Sequence, residues 1–315
     1  MSTSKEMRLL GGVVPPVSTP FTSDYGIDEK SLRSLIRHLL AGGVHGLFAL
    51  GSTSEVAFLT DRNRDEVLRI TMDEVKGQVP VVAGVIDMTP LRINEHVKRA
   101  KAAGVEGIVV TAPFFTRTHP AEIEKHFRLI KEACGDLHLY AYDIPVAVNG
   151  VKLDAEMMLR LGAEGVISGV KDSSGNDAGI RSLVIGKRER KLKNFVVMTG
   201  SELTVDSALA FGADGVVPGI GNVDPAGYVR IYDAVKRGDF AAAQSEQDRL
   251  IQMFDLIFVG AHRMSVASSA LGAFKASLKL LGIIDDALMA PPYLPLNEDE
   301  IEKIKPFLMK AGLLK

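Results

Sequence analysis

The amino-acid sequence predicts an α/β fold, a (β/α)8 barrel with a C-terminal helical extension, and three observations lead there. One pattern occurs four times: AGGVHGLFAL at 41–50, AAGVEGIVVT at 102–111, LGAEGVISGV at 161–170 and FGADGVVPGI at 211–220. Each reads as a helix end, a glycine cap and then a buried strand. The starts lie 61, 59 and 50 residues apart, the length of two strand–helix units, and further strand-like runs fall between them. Those runs are VVPPVST, VPVVAGV, LHLYAY and FVVMTG, which bring the strands to eight. After the eighth unit the alternation stops and only helices follow.

Apolar positions at three- and four-residue spacing predict helices over 28–41, 61–76, 91–102, 120–133, 153–161, 177–185, 203–211 and 225–236. Eight strands alternating with eight helices match the closed barrel. A doubly wound open sheet would also alternate, but the count of eight and the lack of a GxGxxG after the first strand oppose it. Three more helices are expected at 239–259, 263–282 and, beyond the PPYLP break at 291–295, at 297–312. No Gly/Ser- or Pro-rich linker precedes them, so residues 1–236 read as the catalytic barrel and 237–315 as an extension packed on it.

Of the 315 residues 46% are hydrophobic and 24% charged, enough to bury a large core. A formal net charge of −2 and the lack of basic stretches interleaved with aromatics exclude nucleic acid and anionic membranes as expected partners, leaving a small molecule. Cys134 is the only cysteine, so neither a disulfide framework nor a thiolate metal site is expected, which suits a reducing cytoplasm. The N-terminal MSTSKEMRLL has no apolar core of signal-peptide length. No HExxH-like spacing relates the seven histidines.

In such barrels the chemistry sits at the carboxyl ends of the strands. Lys171 stands there, closing the apolar run of VISGVKDSSGN at 166–176. A structural lysine would snorkel from a helix face, whereas an amine held in a pocket is a usable nucleophile towards ketones. Tyr142, in YAYDIP, ends the neighbouring strand, and its phenol can relay protons if bonded to a hydroxyl such as that of Ser52 or Thr53. GSTSE at 51–55 pairs small hydroxyls with a capping-box spacing from Ser52 to Glu55, a turn whose N–H groups suit a carboxylate. Taken singly, each of these has a plainer explanation: a capped turn, a satisfied tyrosine, a strand-end lysine.

Together they resemble the pyruvate-dependent class I aldolase family that includes dihydrodipicolinate synthase, N-acetylneuraminate lyase and 2-keto-3-deoxygluconate aldolase. PPVSTPF at 15–21 is similar to the family's first-strand motif, GSTSE to its GTTGE loop, YDIP to its Y-N-x-P motif and GVKDSSGN to its Schiff-base lysine motif. Residues 200–225 keep the family's spacing from a pocket glycine, Gly200, to the last strand. The resemblance implies that Lys171 attacks the keto carbon, Tyr142 shuttles protons, Ser52 is its relay partner, and Thr53 with its backbone N–H holds the carboxylate. It implies no metal and no cofactor, because the iminium supplies the positive charge, and a homotetramer built from dimers.

Departures from the family bear on the substrate. Ala147 stands where the synthases place an arginine for the carboxylate of aspartate semialdehyde, and Phe115 where they place a tyrosine that reaches into the neighbouring subunit. Ser54 replaces the glycine of the GTTGE loop, and Gly200-Ser201-Glu202-Leu203 keeps one of the two acids by which the neuraminate lyases bind sugar hydroxyls. With Glu202, Ser201 and Ser54 as hydroxyl ligands, the expected reaction is reversible cleavage of a 2-keto-3-deoxy sugar acid, or a related 2-keto acid, to pyruvate and an aldehyde. Dihydrodipicolinate synthesis, dehydratase or hydratase-aldolase chemistry through the same imine, and a non-catalytic ligand-binding barrel are the competing readings. A phosphate-handling barrel, with GIGN at 219–222 as anion cradle, is a further one.

Overall fold

A computed structural model describes residues 7–315; the first six residues of MSTSKEMRLL lie outside the described residues. Eight strands alternate with helices in chain order: β1 (Gly12–Val13), β2 (Leu47–Ala49), β3 (Val81–Gly84), β4 (Gly107–Thr111), β5 (His138–Asp143), β6 (Gly169–Asp172), β7 (Val196–Thr199) and β8 (Gly215–Val216). All pair in parallel, in the order β1-β8-β7-β6-β5-β4-β3-β2. The seam between β1 and β2 is closed by one parallel bridge, Pro16 to Phe48. Pro15 and Pro16 have no N–H to donate, so the expected strand VVPPVST shrinks to two residues plus this bridge.

The helices α1 (Glu29–Ala41), α2 (Asp61–Val75), α3 (Pro90–Ala103), α4 (Pro120–Cys134), α5 (Ala155–Ala163), α6 (Asp177–Glu189), α7 (Val205–Ala210) and α8 (Pro225–Lys236) fill the connections. Asp28, Thr60, Asp154, Asn176 and Asp224 cap five of them by accepting from a backbone N–H of the first turn. Beyond the barrel follow α9 (Phe240–Phe254), α10 (Val266–Leu280), α11 (Glu298–Glu302) and α12 (Lys305–Lys310). The single helix expected at 297–312 is thus two, because Pro306 cannot donate to the carbonyl one turn back. No helix among the described residues is long and apolar enough to cross a membrane.

Strand side chains alternate between two cores. Phe48, Val82, Val109, Tyr140, Tyr142 and Met198 fill the inside of the barrel, while Ala49, Ile108, Val110, Leu139 and Val197 pack outward against the helices. Cys134 is buried in the outer layer, where desolvation pushes its thiol up to about 11, far from a reactive thiolate.

Candidate active site

The alternation that builds the two cores also aims the chemistry. Tyr142 and Lys171 are register partners at the ends of β5 and β6, and both point into the barrel mouth. Lys171 is 8% exposed, with Nζ 4.0 Å from the centre of the Tyr142 ring and 5.1 Å from that of Phe48. Among the described residues it forms no ion pair with a carboxylate. Burial pushes the Tyr142 phenol up, but the Lys171 ammonium and hydrogen bonds with Ser52, Lys171 and Ser173 outweigh it and hold the phenol below its ordinary value. Ser52, Lys171 and Ser173 therefore act together on the Tyr142 phenol.

Ser173 belongs to that group and was not singled out from the sequence. Its signal is position: two residues past Lys171, on the turn that ends β6. Gly200 is glycine for the same reason, since a Cβ there would lie 1.9 Å from Ser173 Oγ.

The residues next to the pair point the other way. Asp143 and Asp172 are register partners on the outer face, both about fully buried, and Lys152 bridges them, bonding Asp143 and reaching Asp172 Oδ2 at 3.0 Å. Desolvation, together with the charge of Asp172, holds the Asp143 carboxyl above its usual range despite Lys152. This three-charge clamp ties the ends of β5 and β6 together and so sets the alignment of Tyr142 with Lys171.

The GSTSE loop departs from its expected geometry. Gly51 N–H donates to Ser54 Oγ at 3.1 Å, so the box closes one residue early, and Glu55 does not cap Ser52. The Glu55 carboxylate instead pairs with Lys275 of α10 and accepts from Ala290 N–H at 2.7 Å. Leu50 and Glu55, at φ 58° and 59°, hold left-handed backbone at both ends of the loop. Thr53 is buried between them. Ser54 is wholly buried, and its Oγ donates to Val17 O as well as accepting from Gly51. Ser54, expected to bind substrate, uses its hydroxyl to hold the β1 and β2 loops together, with Thr19 Oγ1 donating to Ser54 O at 2.9 Å.

After β7, Ser201 Oγ and Thr204 Oγ1 bond each other at 2.9 Å. Glu202 turns its carboxylate to the last strand's loop, where Ile220 N–H donates to Oε1 at 2.6 Å and Gly219 N–H also bonds it. Desolvation pushes this carboxyl up to about 7, against those two N–H groups and the charge of Lys171. The GIGN anion cradle is thus occupied by the protein's own side chain, which removes the phosphate reading. Asn222 closes the barrel beneath it, donating to Pro16 O and Gly219 O and accepting from Ser18 N–H.

Beside Ser52 opens a cavity of about 190 Å³. Its walls are Val56, Ala57, Phe58, Phe114, Ile144 and Ala147, and Thr111 also lines it, with a buried hydroxyl that has no partner among the described residues.

The comparisons with known proteins agree with this geometry. The model of the dihydrodipicolinate synthetase family matches residues 9–311. The chain belongs to that family. It is 31% identical to an uncharacterized DapA-like lyase of Halobacterium salinarum, covering 97% of this chain and 95% of that one. It is 29% identical to a 4-hydroxy-tetrahydrodipicolinate synthase of Syntrophus aciditrophicus, over 96% of this chain and 99% of the other. Among solved structures it is similar to YagE, a prophage protein of the dihydrodipicolinic acid synthase family from E. coli K12, solved in complex with pyruvate, with TM-score 0.89 and 28% identity over 97% of this chain and 100% of that one. As a member of this family the chain is a class I, pyruvate-dependent lyase.

Proposed function

We propose that this lyase cleaves a 4-hydroxy-2-keto acid reversibly to pyruvate and an aldehyde, with Lys171 as the Schiff-base amine. The observation that supports it is the pairing of Lys171 with Tyr142 at adjacent strand ends, the amine 4.0 Å from the centre of the phenol ring. YagE, a similar protein, binds pyruvate.

The Lys171 amine adds to the keto carbon, and loss of water leaves a protonated imine. The C3–C4 bond then breaks: its electron pair moves to the iminium nitrogen, giving an enamine, while the C4 hydroxyl passes its proton to Tyr142 through Ser52 and leaves as the aldehyde. Protonation of the enamine at C3 and hydrolysis return the amine and release pyruvate. Thr53 is the residue assigned to the carboxylate.

Dihydrodipicolinate synthesis fits less well, since Ala147 offers nothing to a second carboxylate. The 2-keto-3-deoxy sugar acid rested on three hydroxyl ligands, and Ser54, Ser201 and Glu202 each have partners within the protein.

Pyruvate with borohydride should add one reduced adduct, on the peptide containing Lys171. An unmodified Lys171, or full activity in Lys171→Ala, overturns the assignment. We also propose an assembly of dimers in a tetramer: Phe115 and Val146 are 90% and 92% exposed at the barrel mouth, Phe115 at φ 62°, an apolar pair suited to burial by a partner. A single monomer-sized species in light scattering would count against it.

A further inference from the structure

We infer that the aldehyde half of the substrate carries an apolar side chain, aromatic or branched, which the cavity between the β2, β4 and β5 loops receives. The inference rests on the lyase reading above and names its substrate class.

The cavity divides into a polar edge and an apolar wall. At the edge stand Ser52, which acts on the Tyr142 phenol, and Thr111, whose buried hydroxyl is unpartnered among the described residues. Together they can serve one oxygen, that of the C4 hydroxyl at which the bond breaks. Beyond that edge the wall is carbon: Val56, Phe58, Phe114, Ile144 and Ala147. Tyr293 borders it, its ring set edge-on against Phe58 with centres 4.7 Å apart, which extends the aromatic rim. Among the described residues no lysine, arginine or histidine lines the cavity, and its one charged residue, Glu55, has its carboxylate turned to Lys275 and Ala290 N–H.

The size agrees. At about 190 Å³ the space is comparable with an apolar cavity of roughly 150 Å³ that takes up benzene. Beyond Ser52 and Thr111 the Tyr293 phenol is the one uncharged polar side chain of the lining, so a row of sugar hydroxyls directed here would lose more water than it gains in partners. A carboxylate there would meet no cation. A ring or branched chain loses nothing and gains the contact.

The test uses the full-length protein and pyruvate release from four 4-hydroxy-2-keto acids. Two derive from benzaldehyde and isobutyraldehyde; the others are 2-keto-3-deoxygluconate and the open-chain adduct of aspartate semialdehyde. The first two should exceed the last two by about tenfold or more in kcat/KM. Equal or reversed preference overturns the inference. Ala147→Arg, at an exposed rim position, should lower kcat/KM for the benzaldehyde adduct by about tenfold and raise that for the semialdehyde adduct. An unchanged ratio in this variant counts equally against it. Borohydride trapping with pyruvate alone separates the two levels: a Lys171 adduct without turnover of the apolar substrates refutes the substrate class and leaves the lyase standing, whereas no adduct refutes both.

Discussion

Two lysines are buried among the described residues, and their surroundings differ in kind. Lys275, 1% exposed, sits between the Glu55 carboxylate, the Leu288 carbonyl at 2.7 Å and the face of Phe21. Lys171, 8% exposed, lies against two aromatic rings, one of them the phenol of Tyr142, and has no ion-paired carboxylate among the described residues. Burial alone therefore does not make a lysine reactive. An ion pair fixes the amine as a structural charge, with all its protons directed at acceptors. In the proposed role, aromatic and hydroxyl neighbours hold the amine without an ion pair that would have to break before it attacks a carbonyl carbon.

The largest effect expected from breaking this contrast is chemical. Lys171→Ala should lower turnover by about 10⁴-fold or more, as removal of a covalent nucleophile does, while the urea midpoint moves little. If Lys171 were a second ion-paired lysine, its removal would instead unfold the protein. Tyr142→Phe removes one oxygen from the same group and should lower turnover by about 10²–10⁴-fold with the thermal midpoint nearly kept. A loss of stability without a loss of turnover in the folded protein would place Tyr142 among the structural tyrosines, as Tyr140 is, whose hydroxyl accepts from Leu10 N–H at 3.0 Å.

For Lys275 the expectation reverses. Lys275→Met leaves the Glu55 carboxylate buried and unpaired, a change that typically costs about 3–5 kcal/mol. Urea unfolding should report it, and Glu55→Gln combined with Lys275→Met should return much of the loss. The borohydride adduct on Lys171 should persist in both. A Lys275→Met variant as stable as the parent would show that the pair contributes nothing, and the comparison would then rest on Lys171 alone.

The sequence announced one of these lysines and hid the other. Lys171 closes a β-branched strand run, so its position at the barrel mouth follows from the strand count and the period of two. Lys275 lies within an apolar helix, LGAFKASLKL, where spacing alone cannot distinguish it from a snorkelling surface lysine. Its partner Glu55 is 220 positions earlier and carries a cap spacing that pointed to Ser52 instead. The eight strand–helix units were legible because each repeats a glycine-capped pattern. The engagement of Ser54 with Val17 and of Glu202 with Ile220 was not, since it depends on loops that approach only when the barrel closes. The apolar cavity was hidden likewise: its lining comes from the ends of four strands, β2 to β5, and from Tyr293 of the C-terminal extension.

The smallest expected effect concerns the carboxylate that shares the barrel mouth with Lys171. Burial pushes Glu202 up to about 7, and Lys171 and the N–H groups of Ile220 and Gly219 offset it only in part. The folded state then binds more protons than the unfolded chain between the ordinary carboxylate value and about 7, so this group's contribution to stability is full below pH 4.5 and is lost as the pH rises through the folded value. The slope is at most about 1.4 kcal/mol per pH unit. Urea midpoints taken from pH 5 to 8 should therefore decline more steeply for the parent than for Glu202→Gln. Removing the charge of Lys171 should move the decline to higher pH, because one of the groups that favour the ionised carboxylate is gone. A Lys171→Ala profile that superimposes on the parent's would mean that the two groups do not sense each other, and that Lys171 is held by its aromatic and hydroxyl neighbours alone.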